Sequence, residues 1–507
     1  MSRMSDHSKD AAAAVSLAVV MNEERNKVLF AVADNHFADI LISFLTLPLG
    51  RILKLLEKHY GKEAPAIGSL SSFYRGVANL GASHFATEGA KQALLNPRSS
   101  FEAKCERLKF DVTDPPPAEY FRCSNNNHKK YRSVSLYYDT LGNVQCSTCC
   151  YGSVSKKVVE SSVLKKVVEK SSVFTPSSCG VFTKQEGSFI ICDDLQIFPN
   201  DTGISGIVSF LGIRDSDCKG EAIRMELGFN EVMNLLLASL TSPTPLSDII
   251  LKKTRNTISA MPESKPKIPL HDDASEEENP NSKNLSLKLT IQKSTGKLLH
   301  AEAKKEFVEF LFSLLFIPLG GVGNLLRGNT SFKAIDNLYR STANGEIFDT
   351  GDIKERLTKF HLVHGCISES HILPISEENL PSYYKDFKSS FSSVNFRNGK
   401  GSYLKQRKTY KVTDDLTVVP YCLVSILCSL GEQKIPITDV EEVELQIGLK
   451  EGLSILQASL TSTSALSDAL LGQISNKRPL TSTSAVSDAL PSQTLNKRLK
   501  TEDKTEV

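Results

Sequence analysis

Five residues in the first half of the chain have the types and spacing to hold a metal ion. Cys123 is followed after four residues by His128, and Cys146 after two residues by Cys149, with Cys150 adjacent. A Cys-x-x-Cys turn lets two thiolates reach one ion. A second pair about 20 residues away can complete the closed tetrahedron of a structural zinc site. Between the pairs, Val134, Leu136 and Tyr138 alternate ahead of Leu-Gly-Asn143. That pattern reads as a hairpin bringing the two pairs together as in a zinc ribbon. Cys150 competes with His128 as fourth ligand, and unliganded thiols are the alternative to zinc. A redox Cys-x-x-Cys requires a helix N-terminus in a thioredoxin-like setting, which is not evident here.

Other constellations carry less. His361-x2-His364-x-Cys366-x4-His371 has metal-binding residue types, but its spacing matches no template, and a polar loop is the favoured reading. Asp193-Asp194 and Asp414-Asp415 resemble paired carboxylates. Adjacent residues on a strand point to opposite faces, so a turn leading into Leu195-Gln-Ile-Phe198 is favoured over an acid–base pair. Gly320-Gly-Val-Gly323 lacks the Lys-Ser/Thr of a phosphate loop and follows a helix. No Gly-x-Ser-x-Gly elbow, His-Glu-x-x-His or kinase signature occurs.

The elements that must position these residues occur twice. Apolar residues at Phe37, Ile40, Leu41, Phe44 and Leu45, ahead of Pro48-Leu-Gly50, recur as Phe307, Phe310, Leu311, Leu314 and Leu315 ahead of Pro318-Leu-Gly320. This spacing puts a broad apolar face on a helix, and the proline ends or kinks it. Before each copy lie two strand-like runs: Val15–Val20 and Lys27–Ala33, then Leu285–Ile291 and Lys297–Ala303. Asp34 or Asn35 can cap the first helix. Three further blocks repeat in order. Phe73-Tyr-Arg75 matches Leu338-Tyr-Arg340, and Asp193-Asp-Leu195 matches Asp414-Asp-Leu416. Ala238-Ser-Leu-Thr-Ser242 with Leu246-Ser-Asp248 matches Ala458-Ser-Leu-Thr-Ser462 with Leu466-Ser-Asp468. A tandem duplication of a mixed α+β unit is expected: hairpin, core helix, variable cysteine-containing middle, strand and C-terminal helix.

The expected organisation is a disordered N-terminus over residues 1–14, a first unit over 15–253, a linker over 254–284, a second unit over 285–471 and a disordered tail over 472–507. The zinc-ribbon-like insertion covers 121–150. The linker carries Pro, Ser and the acidic run Glu276-Glu-Glu278. The tail repeats Leu460–Leu470 as Leu480–Leu490 and ends near the basic Asn496-Lys-Arg-Leu-Lys500, too short to specify a nuclear signal. The apolar run Ala11–Met21 has the length of a signal h-region, but its Val-Ser-Leu recurs internally, so a strand is the better reading. Phe310–Leu326 is almost free of charge, yet Pro318 and three glycines interrupt it, which favours a buried helix over a membrane span. Eleven cysteines, eight of them in the first half, suit a reducing compartment, cytoplasmic or nuclear. A net charge of +2 gives no global drive toward nucleic acid.

Taken together, the repeated blocks, with Gly68-Ser-Leu70 and Tyr74, resemble the plant-specific family known as domain of unknown function 674, over roughly residues 15–252 and 285–471. The resemblance implies no activity and supplies no catalytic residues. The functional expectation is a non-catalytic binding or scaffold protein with a protein partner and a structural zinc in the first unit. The alternatives are an enzyme of unrecognised class with a site between the units, or a nucleic-acid-binding protein. The last lacks aromatic interleaving beside its lysines.

Overall fold

The computed structural model describes residues 14–22, 26–86, 88–110, 112, 120–122, 134–136, 156–158, 180–184, 187–201, 208, 222–251, 283–344, 347–348, 351–363, 366–377, 402–405 and 408–477. The first half contains β1 (Val15–Asn22), β2 (Lys27–Asp34), α1 (Asn35–Leu45), α2 (Leu49–Tyr60), α3 (Gly68–Asn79), α4 (Glu88–Leu95) and α5 (Glu102–Cys105). Short strands β3 (Tyr120–Arg122), β4 (Val134–Leu136) and β5 (Lys156–Val158) follow, then β6 (Ser188–Cys192), β7 (Ile197–Pro199), β8 (Ile223–Leu227), α6 (Phe229–Thr241) and α7 (Pro245–Ile250). The second half contains β9 (Leu285–Gln292), β10 (Leu298–Lys304), α8 (Lys305–Leu314), α9 (Leu319–Leu325), α10 (Lys333–Asn344) and α11 (Gly351–Thr358). It closes with β11 (His361–Leu362), β12 (Ser376–Glu377), β13 (Thr409–Val412), β14 (Val418–Pro420), α12 (Leu423–Glu432), β15 (Val440–Ile447), α13 (Leu449–Thr461) and α14 (Ala465–Lys477).

Each half builds a five-stranded antiparallel sheet, ordered β7-β6-β2-β1-β8 in the first and β14-β13-β10-β9-β15 in the second. The strand order is the same in both, and the architecture is α+β. Val15, Leu17 and Val19 of β1 turn inward at the period of two that a half-buried strand requires. Asp34 caps α1 by accepting the Phe37 N–H at 3.1 Å.

The apolar face of α1 is wider than the repeated spacing implies. Ala38 and Ile42 are buried along with Phe37, Ile40, Leu41, Phe44 and Leu45. A helix buried all round needs neighbours on both sides. One side of α1 packs on β1, β2 and β6, and the other meets α9 and α10 of the second half. Helix α8 likewise lies on β9, β10 and β13. So each central helix packs on its own hairpin, and α1 also joins the two halves. Each proline breaks the run as expected, and it then serves as the N-cap of the next helix, α2 or α9. No described helix is long and apolar enough to cross a membrane.

The halves interlock at three places. Pro48 and Pro318 form an antiparallel bridge. There the Leu49 N–H donates to Ile317 O at 2.9 Å, and the Leu319 N–H to Leu47 O at 3.0 Å. The Phe85–Leu404 and Thr183–Phe348 bridges form a second, related pair. Third, the Tyr-Arg helices cross over: α3 packs on α13 and β14, and α10 on α6 and β7. Each therefore covers the edge strand of the other half's sheet. Gly68 opens α3 at φ +44°, where an added Cβ would lie 2.6 Å from Ser459 O. Only glycine allows that approach. One hydrophobic core runs through both halves.

Candidate functional site

Cys123, His128, Cys146, Cys149 and Cys150 lie outside the described residues. The strands around them are described. β3 pairs antiparallel with both β4 and β5, with Arg122 opposite both Val134 and Lys156. The strand at Val134–Leu136 thus pairs back onto Tyr120–Arg122, forming a three-stranded sheet where the spacing suggested a hairpin turning at Gly142. Cys123 comes directly after β3, at the Arg122 end. The connection that carries Cys146, Cys149 and Cys150 returns to Lys156 at that same end.

Among the described residues, no three His, Cys, Asp or Glu groups are placed to hold a metal. In the second-half motif, His361 Nδ1 lies 2.6 Å from Ser376 Oγ, and Cys366 O accepts the Tyr403 hydroxyl at 2.9 Å. His364 lies outside the described residues. Burial pushes the His371 imidazole down to about 4 and the Cys366 thiol well above its usual range. A thiol held protonated is a poor nucleophile and a poor ligand.

The Asp-Asp-Leu blocks are turns, with Leu195 and Leu416 at φ 62° and 63°. Their first aspartates are anchors. Asp193 accepts the Ser247 N–H and hydroxyl, both at 2.8 Å. Asp414 accepts the same pair from Ser467 at 2.8 and 2.7 Å. The Leu-Ser-Asp block is thus the partner of Asp-Asp-Leu, and the two dock the last helix onto the sheet. The second aspartates face the exchanged helices: Asp194 pairs with Lys333 at 3.5 Å, and Asp415 is bonded by Ser72. Neither block forms an acid–base dyad.

A second pair of carboxylates was not singled out by sequence reading. Asp39 and Glu309 stand at equivalent positions in α1 and α8, and both are buried. Asp39 accepts the N–H groups of Val181, Phe182 and Thr183 at 2.5, 3.1 and 2.8 Å. Glu309 Oε1 accepts the Ser402 hydroxyl at 2.5 Å and the Leu404 N–H at 2.7 Å. Each therefore fixes the segment that bridges to the other half. Burial pushes both carboxyls up, while these hydrogen bonds favour the charged form. The available signal was an acidic residue kept on the apolar face of both repeated helices.

The family model described as "Protein of unknown function (DUF674)" matches residues 11–450 and 399–507. No curated protein and no solved structure matches the chain.

Proposed function

The chain belongs to the DUF674 family of proteins of unknown function, and on that premise we propose that it is a non-catalytic binding protein whose partner is another protein. The observation that carries this reading is α12. The helix joins the two edge strands β14 and β15 and has no charge before Glu432. Ile426 and Leu430 turn inward, while Leu423, Val424 and Leu427 are 58%, 69% and 45% exposed. An exposed apolar strip of this kind marks an interaction surface. The first-half sequence Ile207-Val-Ser-Phe-Leu211 is similar to Leu423-Val-Ser-Ile-Leu427, and its Val208 is exposed too.

The chemistry around the strip selects the partner. Glu432 on α12 and Glu442 and Glu444 on β15 are exposed, against Lys434 in the same stretch and Lys288 of β9, which pairs with Glu442 at 3.3 Å. This sign repels an anionic bilayer and suits a protein that surrounds an apolar strip with basic residues. A structural zinc held by Cys123, His128 or Cys150, Cys146 and Cys149 belongs to the same reading. Its support is that both ligand-bearing connections reach one end of the β3–β5 sheet. No described cysteine is in a disulfide, which suits a reducing compartment inside the cell.

A photoreactive residue at position 424, placed in the whole chain in its own cells, tests the surface. The expected result is a discrete protein adduct whose cross-linked peptide is apolar with flanking Lys or Arg, lost on Leu427→Glu. Adducts to lipid alone, or flotation with anionic vesicles, would overturn the reading. Metal analysis is expected to give about one zinc per chain, lost in a Cys146→Ser/Cys149→Ser variant. Absence of metal with every thiol freely titratable would remove the zinc.

A further inference from the structure

Glu309 and Asp39 hold equivalent places, but only Asp39 has both carboxyl oxygens hydrogen-bonded. Its two oxygens share three backbone N–H donors. Glu309 Oε2 is buried with no hydrogen-bond partner, and so is the Tyr410 hydroxyl. Both residues are fully buried. The Tyr410 ring lies 5.8 Å from the His84 ring of the first half, whose Nδ1 is also buried without a partner. At the equivalent Thr183–Phe348 bridge the matching residues are Phe189 and Ile347, which carry no polar side-chain atom, although Thr183 Oγ1 there is also buried without a partner.

The groups facing Glu309 come from every element packed on it. Lys305 lies one turn earlier on α8 and weakly favours the charged form. Tyr403 lies in the segment that Glu309 holds, where its backbone N–H also favours the charged form, with Cys366 and Glu377 beyond it. Tyr410 stands on β13, with His84 behind it and Lys408 acting on His84. Burial pushes Tyr410 up to about 12, with the Glu309 charge adding to the shift, and pushes His84 down. Tyr410 and His84 are therefore neutral near neutral pH, and Oε2 has no hydrogen-bond partner. A buried carboxylate left with one bare oxygen takes up a proton instead of keeping its charge.

We propose that Glu309 is a proton-binding site that makes the seam between the halves respond to pH. In the closed seam its carboxyl is neutral. It ionises when the segment Ser402–Lys405 moves off and admits water. That segment carries the Phe85–Leu404 bridge, through Ala86 N to Tyr403 O at 2.7 Å and Lys405 N to His84 O at 2.8 Å. Ionisation therefore loosens a joint between the halves. The folded chain binds this proton more tightly than the unfolded chain does. The stability it contributes is whole below the unfolded carboxyl value and is lost as pH rises through the raised folded value. Asp39 is the comparison, since burial pushes it up as well but both of its oxygens are hydrogen-bonded.

The test uses the full chain as wild type, Glu309→Gln and Asp39→Asn. Infrared spectra at neutral pH are expected to show a protonated-carboxyl band in the wild type that Glu309→Gln lacks. Across about pH 5 to 9, the wild-type thermal midpoint falls as pH rises, and Glu309→Gln flattens that slope. Asp39→Asn lowers the midpoint throughout and flattens the slope less than Glu309→Gln does. An unchanged slope in Glu309→Gln, or no difference in the carboxyl band, overturns the proposal. If Glu309→Gln does not fold, amide exchange at residues 402–405 of the wild type decides: a rise over base-catalysed exchange supports the switch, and none refutes it.

Discussion

Phe312→Ala removes the ring on which the two halves meet. Phe312 is fully buried on α8 and faces aromatic rings from both sides. Phe85 stacks at 6.0 Å and Phe73 lies at 6.1 Å, both from the first half, while Tyr403 of its own half lies edge-on at 6.5 Å. Truncating a buried phenylalanine costs about 3–5 kcal/mol, depending on how far the site can collapse. Each well-placed aromatic pair is worth a further ~0.5–1.5 kcal/mol beyond its area. With three such partners held by separate elements, collapse is hindered, and the expected loss is near the upper end, about 4–5 kcal/mol. Whole domains are stable by only about 5–15 kcal/mol, so the effect is large. Urea unfolding followed by far-ultraviolet circular dichroism is the assay, since the chain contains no tryptophan. The midpoint should fall in one transition with unchanged slope, because the loss is shared by a single body. A loss below about 1.5 kcal/mol would contradict this reasoning. A curve in which the second half melts first and the first half survives would also contradict it.

Two further substitutions probe the joints. Gly68→Ala places a Cβ against the Ser459 carbonyl at a positive φ. It is expected to cost at least ~1–3 kcal/mol and to raise amide exchange in α13 as well as α3, although the two lie in different halves. Asp193→Ala leaves the Ser247 N–H and hydroxyl unpaired, with an expected loss of about 2–4 kcal/mol and early exchange in α7; unchanged protection of α7 would show that the aspartate is not its anchor.

The repeated elements were legible because each follows from local physics. The apolar spacing from Phe37 to Leu45 gives a buried helix, Asp34 caps it and Pro48 divides it from the next. The Asp-Asp-Leu blocks were legible as turns. Their partner was not, because Ser247 lies 54 residues from Asp193 and only the tertiary fold brings them together. The crossing of α3 and α10 was hidden for the same reason. A repeat states that two units share a plan, but not whether each covers its own sheet or its neighbour's. Gly68 was quoted only as part of the family resemblance; its contact with Ser459 gives it a physical meaning. Glu309 was passed over because a single acidic residue among apolar ones reads as solvent-facing until the second layer of packing is known.

The central claim is that the two halves form one body, each completing the other's sheet with a helix. Expressing residues 14–253 and 283–477 separately tests it most directly. Each alone is expected to show no cooperative unfolding and little amide protection in its central hairpin. Mixing the two should restore protection in β1, β2, β9 and β10 together. A first half that unfolds cooperatively by itself, with β1 and β2 protected in the absence of the second, would contradict the account.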